Sequence, residues 1–213
     1  MVLRVPLDAY RRLITKLQGL GSKTKPKPPY DFITQVGDPV LRTVAEPVDL
    51  ERIKSPDIQK ILSNMKSVMR STFSVGISAP QIGCPYRIIM VEFPQSNLKG
   101  LPLELIQSRE YMVFPLKVFI NPTLQVINSQ KIVYPEGCES IRGYSADVPR
   151  HYEVKISGLN EKAEPQEWQV RGWSARIVQH EMDHLDGNLY IDRMDSRTYQ
   201  FNYWQGIWRL PRS

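Results

Sequence analysis

The sequence predicts an α+β fold, and three observations predict it. An early segment carries apolar residues at helical spacing. A run of short strand-like segments follows as far as about residue 170. A second helical pattern then begins near Ser174. Strands gathered between two helices, not alternating with them, are the mark of an α+β architecture.

The chain opens on a basic segment. Leu3, Leu7, Tyr10, Ile14 and Leu17 recur at helical spacing, with Arg4, Arg11, Arg12 and Lys16 on other faces. Seven basic residues and one acid fall in residues 1–30, and removing them leaves the two signs balanced over 31–213. The overall charge of +6 is therefore not a nucleic-acid footprint of the body, and no direct nucleic-acid binding is expected. An Arg-bearing, acid-poor amphipathic N-terminus reads as a mitochondrial targeting segment, with a disordered basic tail or a membrane-surface helix as the alternatives. The stretch "GSKTKPKPPY" is too rich in Pro and Lys to build a core and serves as a linker. Residues 1–28 are thus expected to be targeting segment and linker, and 29–213 a single catalytic domain. No apolar run reaches the roughly 20 residues of a membrane helix. Two cysteines, Cys84 and Cys138, are too few for a secreted disulfide scaffold and point to a reducing compartment.

The first helix of the body is expected over "SPDIQKILSNMKSVMR". Ser55 stands as N-cap, Pro56 as first helical residue, and Ile58, Ile61, Leu62, Met65, Val68 and Met69 form one stripe. Strands are expected at 87–93, 117–120, 123–127, 131–134, 152–157 and 166–170, separated by Gly, Pro and Asn. Residues 94–114 read as an irregular surface loop. The second helix runs from Ser174 to Asp186, and Gly187 sits where a C-terminal cap belongs. The aromatic stretch 195–208 is expected to add a last short helix.

The second helix carries the chemistry. Trp173, Ile177, His180 and His184 share one face, and Val178, Met182 and Leu185 form a second apolar stripe. Arg176, Gln179, Asp183 and Asp186 are expected to face water. Histidines at i and i+4 sit one turn apart, so both can aim a ring nitrogen at one metal ion. Glu181 is offset from them, poorly placed as a third ligand but within reach of a water on the metal as general base. A pair of hydrogen-bonded core histidines is the plain alternative. The third ligand of common metallopeptidases is missing: no glutamate follows Glu181, and Tyr190 stands where an extended motif has a third histidine. The ligand must come from upstream. Cys138 in "YPEGCES" is the candidate, since a thiolate suits zinc or ferrous iron. Cys84 in "GCP" is the rival, expected instead to be an ordinary buried thiol.

Together "GISAPQIG" (76–83), "EGCES" (136–140) and "QHEMDHL" (179–185) resemble, in order and spacing, the three motifs of peptide deformylases, most closely the mitochondrial form of animals. The resemblance runs from "QVGDPVLRTVAEPV" to "IDRMDSRTY". It implies antiparallel β-sheets around a central helix bearing the H-E-x-x-H motif, and removal of the formyl group from new N-formylmethionyl chains. It further implies Cys138, His180 and His184 as ligands of one divalent metal ion, ferrous iron first, with zinc, cobalt or nickel able to stand in. Glu181 becomes the general acid/base, and Gln81 and the backbone N–H of Glu139 become donors to the developing oxyanion. Val75, Tyr134, Trp173 and Ile177 are candidates for the methionine pocket. Gly76 and Gly137 let the peptide lie close to the backbone, at Gly76 as an added strand. The implied setting is the mitochondrial matrix, with transient contact to the mitochondrial ribosome; monomer and homodimer remain open. Bacterial members usually carry Gly, Ala and Leu where Ser74, Ser78 and Glu139 stand. A carboxylate at Glu139 is expected to oppose the oxyanion, so that Glu139→Leu would raise kcat/KM; the alternative is that it points to solvent or pairs with a base such as Arg142, making the substitution neutral. Two other readings remain. One is a metal-dependent peptidase on the same site, and the other a metal-stabilised protein without catalysis.

Overall fold

The computed structural model describes residues 26–207 together with position 14, so the expected targeting helix lies, but for Ile14, outside the described residues. Helix α1 spans Pro56–Ser71, followed by strands β1 (Gly76–Ser78) and β2 (Ile88–Phe93) and a short helix α2 (Leu103–Ser108). Strands β3 (Phe114–Gly137), β4 (Tyr144–Leu159) and β5 (Pro165–Arg171) lead into helix α3 (Gly172–Leu185). A two-residue strand β6 (Gln200–Phe201) and a short helix α4 (Trp204–Ile207) complete the described chain. No helix among the described residues is long and apolar enough to cross a membrane.

The strands form one antiparallel sheet in the order β1-β2-β3-β4-β5, with β6 added to β4. Its two faces explain why β2 is a continuous apolar run. Ile88 and Met90 pack with α1, whereas Ile89 packs with α3, as alternation along a strand requires. All six residues of the expected α1 stripe are buried, each contributing roughly 1.5–3 kcal/mol by leaving water. Ser55 does occupy the N-cap position, but its side chain does not accept a backbone N–H. Its hydroxyl is spent on Arg52 O and the Asp57 carboxylate instead.

Three expected strands, 117–120, 123–127 and 131–134, prove to be one. Asn121 and Asn128 mark register shifts along β3 and not turns. Asn121 adopts φ +52° and uses its side-chain amide on both N–H and C=O of Val48, so the break in pattern becomes a bulge the strand passes through. Residues 94–114 are not irregular throughout: a 3-10 turn (Gln95–Leu98) and α2 lie within them, and Phe114 begins β3.

Helix α1 ends with Phe73 at φ +56°, with Phe73 N–H donating to Arg70 O (3.3 Å) and Ser74 N–H to Met69 O (3.0 Å). This double bond pattern is the usual glycine-capped helix end, here held by a phenylalanine. Helix α3 closes in the same way at the expected glycine. Gly187 has φ +73°, its N–H reaches His184 O, and Asn188 N–H reaches Asp183 O (2.8 Å).

The expected water-facing side of α3 needs correction. Asp186 is exposed, but Arg176, Gln179 and Asp183 are buried. The β3–β4 pair wraps over that face and supplies partners for each of them. Gln179 bonds the backbone of His151 in both directions (3.0 and 2.8 Å), and the two charged residues join an ion network described below. A polar helix face tells water from a buried polar layer only when its partners are known.

Candidate metal centre

Three elements meet at the floor of a cleft of about 350 Å³. Helix α3 supplies His180, Glu181 and His184. The turn after β3 supplies Cys138. The 3-10 turn after β1 (Ala79–Ile82) supplies Gln81. The ligand atoms of Cys138, His180 and His184 lie within 4.8 Å of one another, with Cys138 Sγ 3.4 Å from His184 Nε2. His180 donates Nδ1–H to Glu136 Oε2 at 3.0 Å, which leaves Nε2 for the cluster. A carboxylate behind a ligating histidine fixes the ring and raises its basicity. His184 Nδ1 is buried without a partner among the described residues.

The electrostatics favour a cation. Burial works against charge on His180, yet its hydrogen bonds to Cys138 and Glu136 hold its proton well above the ordinary histidine range. His184, by burial and the charge of His180, falls well below it. Glu136 behind the ring favours positive charge at His180, and a thiolate with two imidazoles is a donor set for zinc or ferrous iron. The residues present fit a divalent ion.

Glu181 stands beside this cluster. Its side chain is buried, Oε2 has no hydrogen-bond partner among the described residues, and burial pushes its pKa up to about 7. The role expected for Gly76 needs restating here. A Cβ on Gly76 would lie 2.5 Å from Glu181 Oε1, so the missing side chain makes room for the glutamate. Strand β1 is nonetheless a sheet edge, open to an added strand.

Gln81 is buried and held in one orientation. Ser78 N–H donates to its Oε1 at 2.9 Å, so the amide nitrogen must point the other way, toward Ser140 Oγ (3.2 Å) and Cys138 Sγ (3.7 Å). Glu139 begins the turn after Cys138, and its side chain pairs with Arg142, Oε2 accepting from Nε at 3.1 Å. The uncompensated carboxylate expected there is therefore not present.

Val75, Gly76, Gly137, Trp173 and Ile177 all line the cleft. Tyr134 does not. It shares a strand face with Glu136 but lies one pleat repeat, roughly 6–7 Å, further along. There its hydroxyl donates to Ser108 O (3.1 Å) and its ring lies beneath Arg109 and Arg176. It borders a separate, smaller cavity with Tyr152. Cys84 is buried away from the cluster, and burial raises its thiol to about 11.

A further layer escaped the sequence reading. Glu136, whose pKa is held far down against burial by Arg150 and His180, accepts from Arg150 (2.9 and 2.8 Å), Arg176 (2.6 Å) and His180. Arg150 bridges on to Asp183, which also receives Arg193 (2.9 and 2.8 Å). The available signal was that a ligating histidine needs a carboxylate behind it, and Glu136 stands two residues before Cys138. Asn202 and Tyr203 also line the cleft, with no signal in sequence.

An unpaired glutamate beside a cation-binding cluster is suited to moving a proton to or from water, which puts the chain in the class of metal-dependent hydrolases. Comparison narrows that class. The family model described as polypeptide deformylase matches residues 31–200, and the chain belongs to that family. It is 46% identical over 182 residues to human mitochondrial peptide deformylase, covering 85% of this chain and 75% of the relative. It is 43% identical over 199 residues to the chloroplastic/mitochondrial peptide deformylase 1A of Arabidopsis thaliana, covering 92% and 74%. Among solved structures, a Met-Ala-Ser-bound peptide deformylase from Acinetobacter baumannii superposes with TM-score 0.66 at 29% identity, covering 76% of this chain and 96% of that one. The actinonin complex from Synechococcus elongatus gives 0.64 at 35% identity, covering 82% and 85%.

Proposed function

We propose that this chain hydrolyses the N-formyl group from the methionine that begins newly made organellar proteins, releasing formate and a free amino terminus. The observation that carries the reading is Glu181, a buried carboxylate with one oxygen unpaired beside Cys138, His180 and His184. Those three residues would hold one divalent ion, ferrous iron first with zinc, cobalt or nickel as substitutes, since thiolate and imidazole donors suit these metals. Held there, a divalent ion would supply Lewis-acid chemistry to a carbonyl and lower the pKa of water.

The chain's own residues do the rest. Glu181 takes the proton from the attacking water and delivers it to the leaving amine, a contribution of about 10²–10⁴. The Gln81 amide nitrogen, held toward the cleft by Ser78, and the backbone N–H of Glu139 donate to the oxygen on which negative charge develops. The methionine side chain lies against Val75, Trp173 and Ile177, beside Gly137, and the peptide backbone runs along the open edge of β1 at Gly76. A structural relative that holds Met-Ala-Ser supports a peptide in such a cleft.

Residues 1–28 act as the targeting segment and linker for the mitochondrial matrix and 29–213 as the catalytic domain, which meets nascent chains at the mitochondrial ribosome. The organellar relatives support this location. A reporter fused to residues 1–25 should enter mitochondria; a cytosolic reporter overturns the location and leaves the activity standing. For the activity, metal-replete protein should release formate from formyl-Met-Ala-Ser, and Glu181→Gln should keep the metal while losing most turnover. Cleavage of internal peptide bonds with the formyl group left intact would mean a peptidase instead.

A further inference from the structure

Two large aromatic side chains stand in water at the rim of the cleft: Phe73 is 91% exposed and Tyr203 68%. They arrive from distant parts of the chain. Phe73 is the residue at φ +56° that ends α1, directly before the cleft-lining stretch 74–76. Tyr203 follows β6, which pairs Tyr144↔Phe201 on β4. Two contacts seat that segment against the turn that follows Cys138, and a third, within the segment, holds Tyr203 in place. Asn202 N–H donates to Gly143 O at 2.8 Å. The Phe201 ring fills the space where a Cβ on Gly143 would lie, at 3.1 Å. Tyr203 packs edge-on against Phe201 with centroids 5.7 Å apart.

The cleft is thereby sorted by depth. Its floor is polar and holds the cluster, and its wall of Val75, Trp173 and Ile177 is apolar. Floor and wall are already used by the formyl group and the methionine in the function proposed above, on which this inference rests. A peptide anchored at its first residue must leave across the rim, where its second and third side chains meet whatever stands there. Exposed apolar surface continuous with a binding cleft marks where a ligand continues.

We propose that Phe73 and Tyr203 are specificity-determining residues that clasp the side chains following the formyl-methionine and favour large apolar ones. Neither touches the reacting atoms, so both act on binding and leave the chemical step alone. Tyrosine and phenylalanine are suited to this because their rings offer wide contact area with few rotatable bonds to immobilise.

The test compares three substrates on metal-replete protein: formyl-Met-Leu-Phe, formyl-Met-Ala-Ser and formyl-Met amide, which is too short to reach the rim. The unaltered protein should show a lower KM for formyl-Met-Leu-Phe than for formyl-Met-Ala-Ser. Phe73→Ala and Tyr203→Ala should each raise KM for formyl-Met-Leu-Phe by about three- to tenfold, with kcat held within about twofold. KM for formyl-Met amide should not move, and Tyr203→Phe should keep the preference because the ring remains. An unchanged KM for formyl-Met-Leu-Phe in both alanine variants and in the double variant overturns the proposal. An equal rise on formyl-Met amide also overturns it, since that would report a disturbed cleft. If the unaltered protein deformylates none of the three, the function proposed above falls and this inference falls with it.

Discussion

A Cβ on Gly76 would lie 2.5 Å from Oε1 of Glu181 and 2.9 Å from its Cγ and Cδ. Glycine at this position is thus the space in which the proposed proton-transfer group sits. The glutamate lines the cleft and can give way only by turning into it, away from its place beside the cluster. Gly76→Ala should therefore displace the carboxylate while leaving Cys138, His180 and His184 in place. The expected result is full metal content with kcat lowered by about a hundredfold or more. Normal turnover in metal-loaded Gly76→Ala protein would show that the site adapts and that this glycine has another purpose.

Glu136 both orients His180 and neutralises two buried arginines. Glu136→Gln should weaken metal affinity about 10- to 100-fold, measured by chelator competition. It should also cost about 3–5 kcal/mol in denaturant unfolding, because Arg176 then stays buried without its carboxylate and Arg150 keeps only Asp183. Asp183→Asn separates the two effects. Asp183 pairs with Arg150 and Arg193 and touches neither histidine, so that variant should lose stability with metal affinity unchanged.

The two thiols should behave as opposites. Cys138→Ala should lose metal and activity together, whereas Cys84→Ala should keep both. Burial raises Cys84 to about 11, so at pH 8 it remains a neutral thiol out of contact with solvent. In metal-stripped protein iodoacetamide should modify Cys138 alone, and Cys84 only after unfolding. Peptide mapping that finds Cys84 alkylated in the native state would reverse the assignment.

The carboxylate of Glu139 pairs with Arg142 at 3.0 Å, and in this exposed pair the arginine offsets part of its charge beside the cleft. Glu139→Leu should consequently change kcat/KM by no more than about twofold, since solvent-exposed pairs interact weakly. Arg142→Ala exposes the charge to the developing oxyanion and should lower kcat/KM about fivefold at low salt. The double variant should return to the starting value. Additive losses would mean that Arg142 contacts substrate in its own right.

Much of this protein was legible one residue at a time. The stripe from Ile58 to Met69, the stop at Gly187 and the paired histidines of α3 depend on helical spacing, which is local geometry and needs no knowledge of neighbours. The union of Cys138 with those histidines was legible through three ordered motifs, although the cysteine lies 42 residues upstream of His180.

What escaped was whatever depends on the far side of a contact. Asn121 and Asn128 read equally well as turns or bulges, and only the pairing of β3 with β4 decided for bulges. Arg176, Gln179 and Asp183 read as a solvated face because the sequence does not reveal that β3 and β4 cover them with Glu136, His151 and Arg150. Tyr134 is a pocket candidate by residue type alone, and its place along the strand, bonded to Ser108 O, removes it.

The sequence by itself determined the helix that carries the chemistry and the kinds of atoms offered to a metal, because periodicity and side-chain type are properties of a short segment. Only the tertiary structure decided which nitrogen of His180 faces the cluster and which way the Gln81 amide points. It also decided that Gly76 makes room for Glu181, and that a C-terminal strand brings Tyr203 to the rim. Each of these is a contact between segments far apart in the chain. Its energy depends on distance and burial, which are set only once the whole chain has folded.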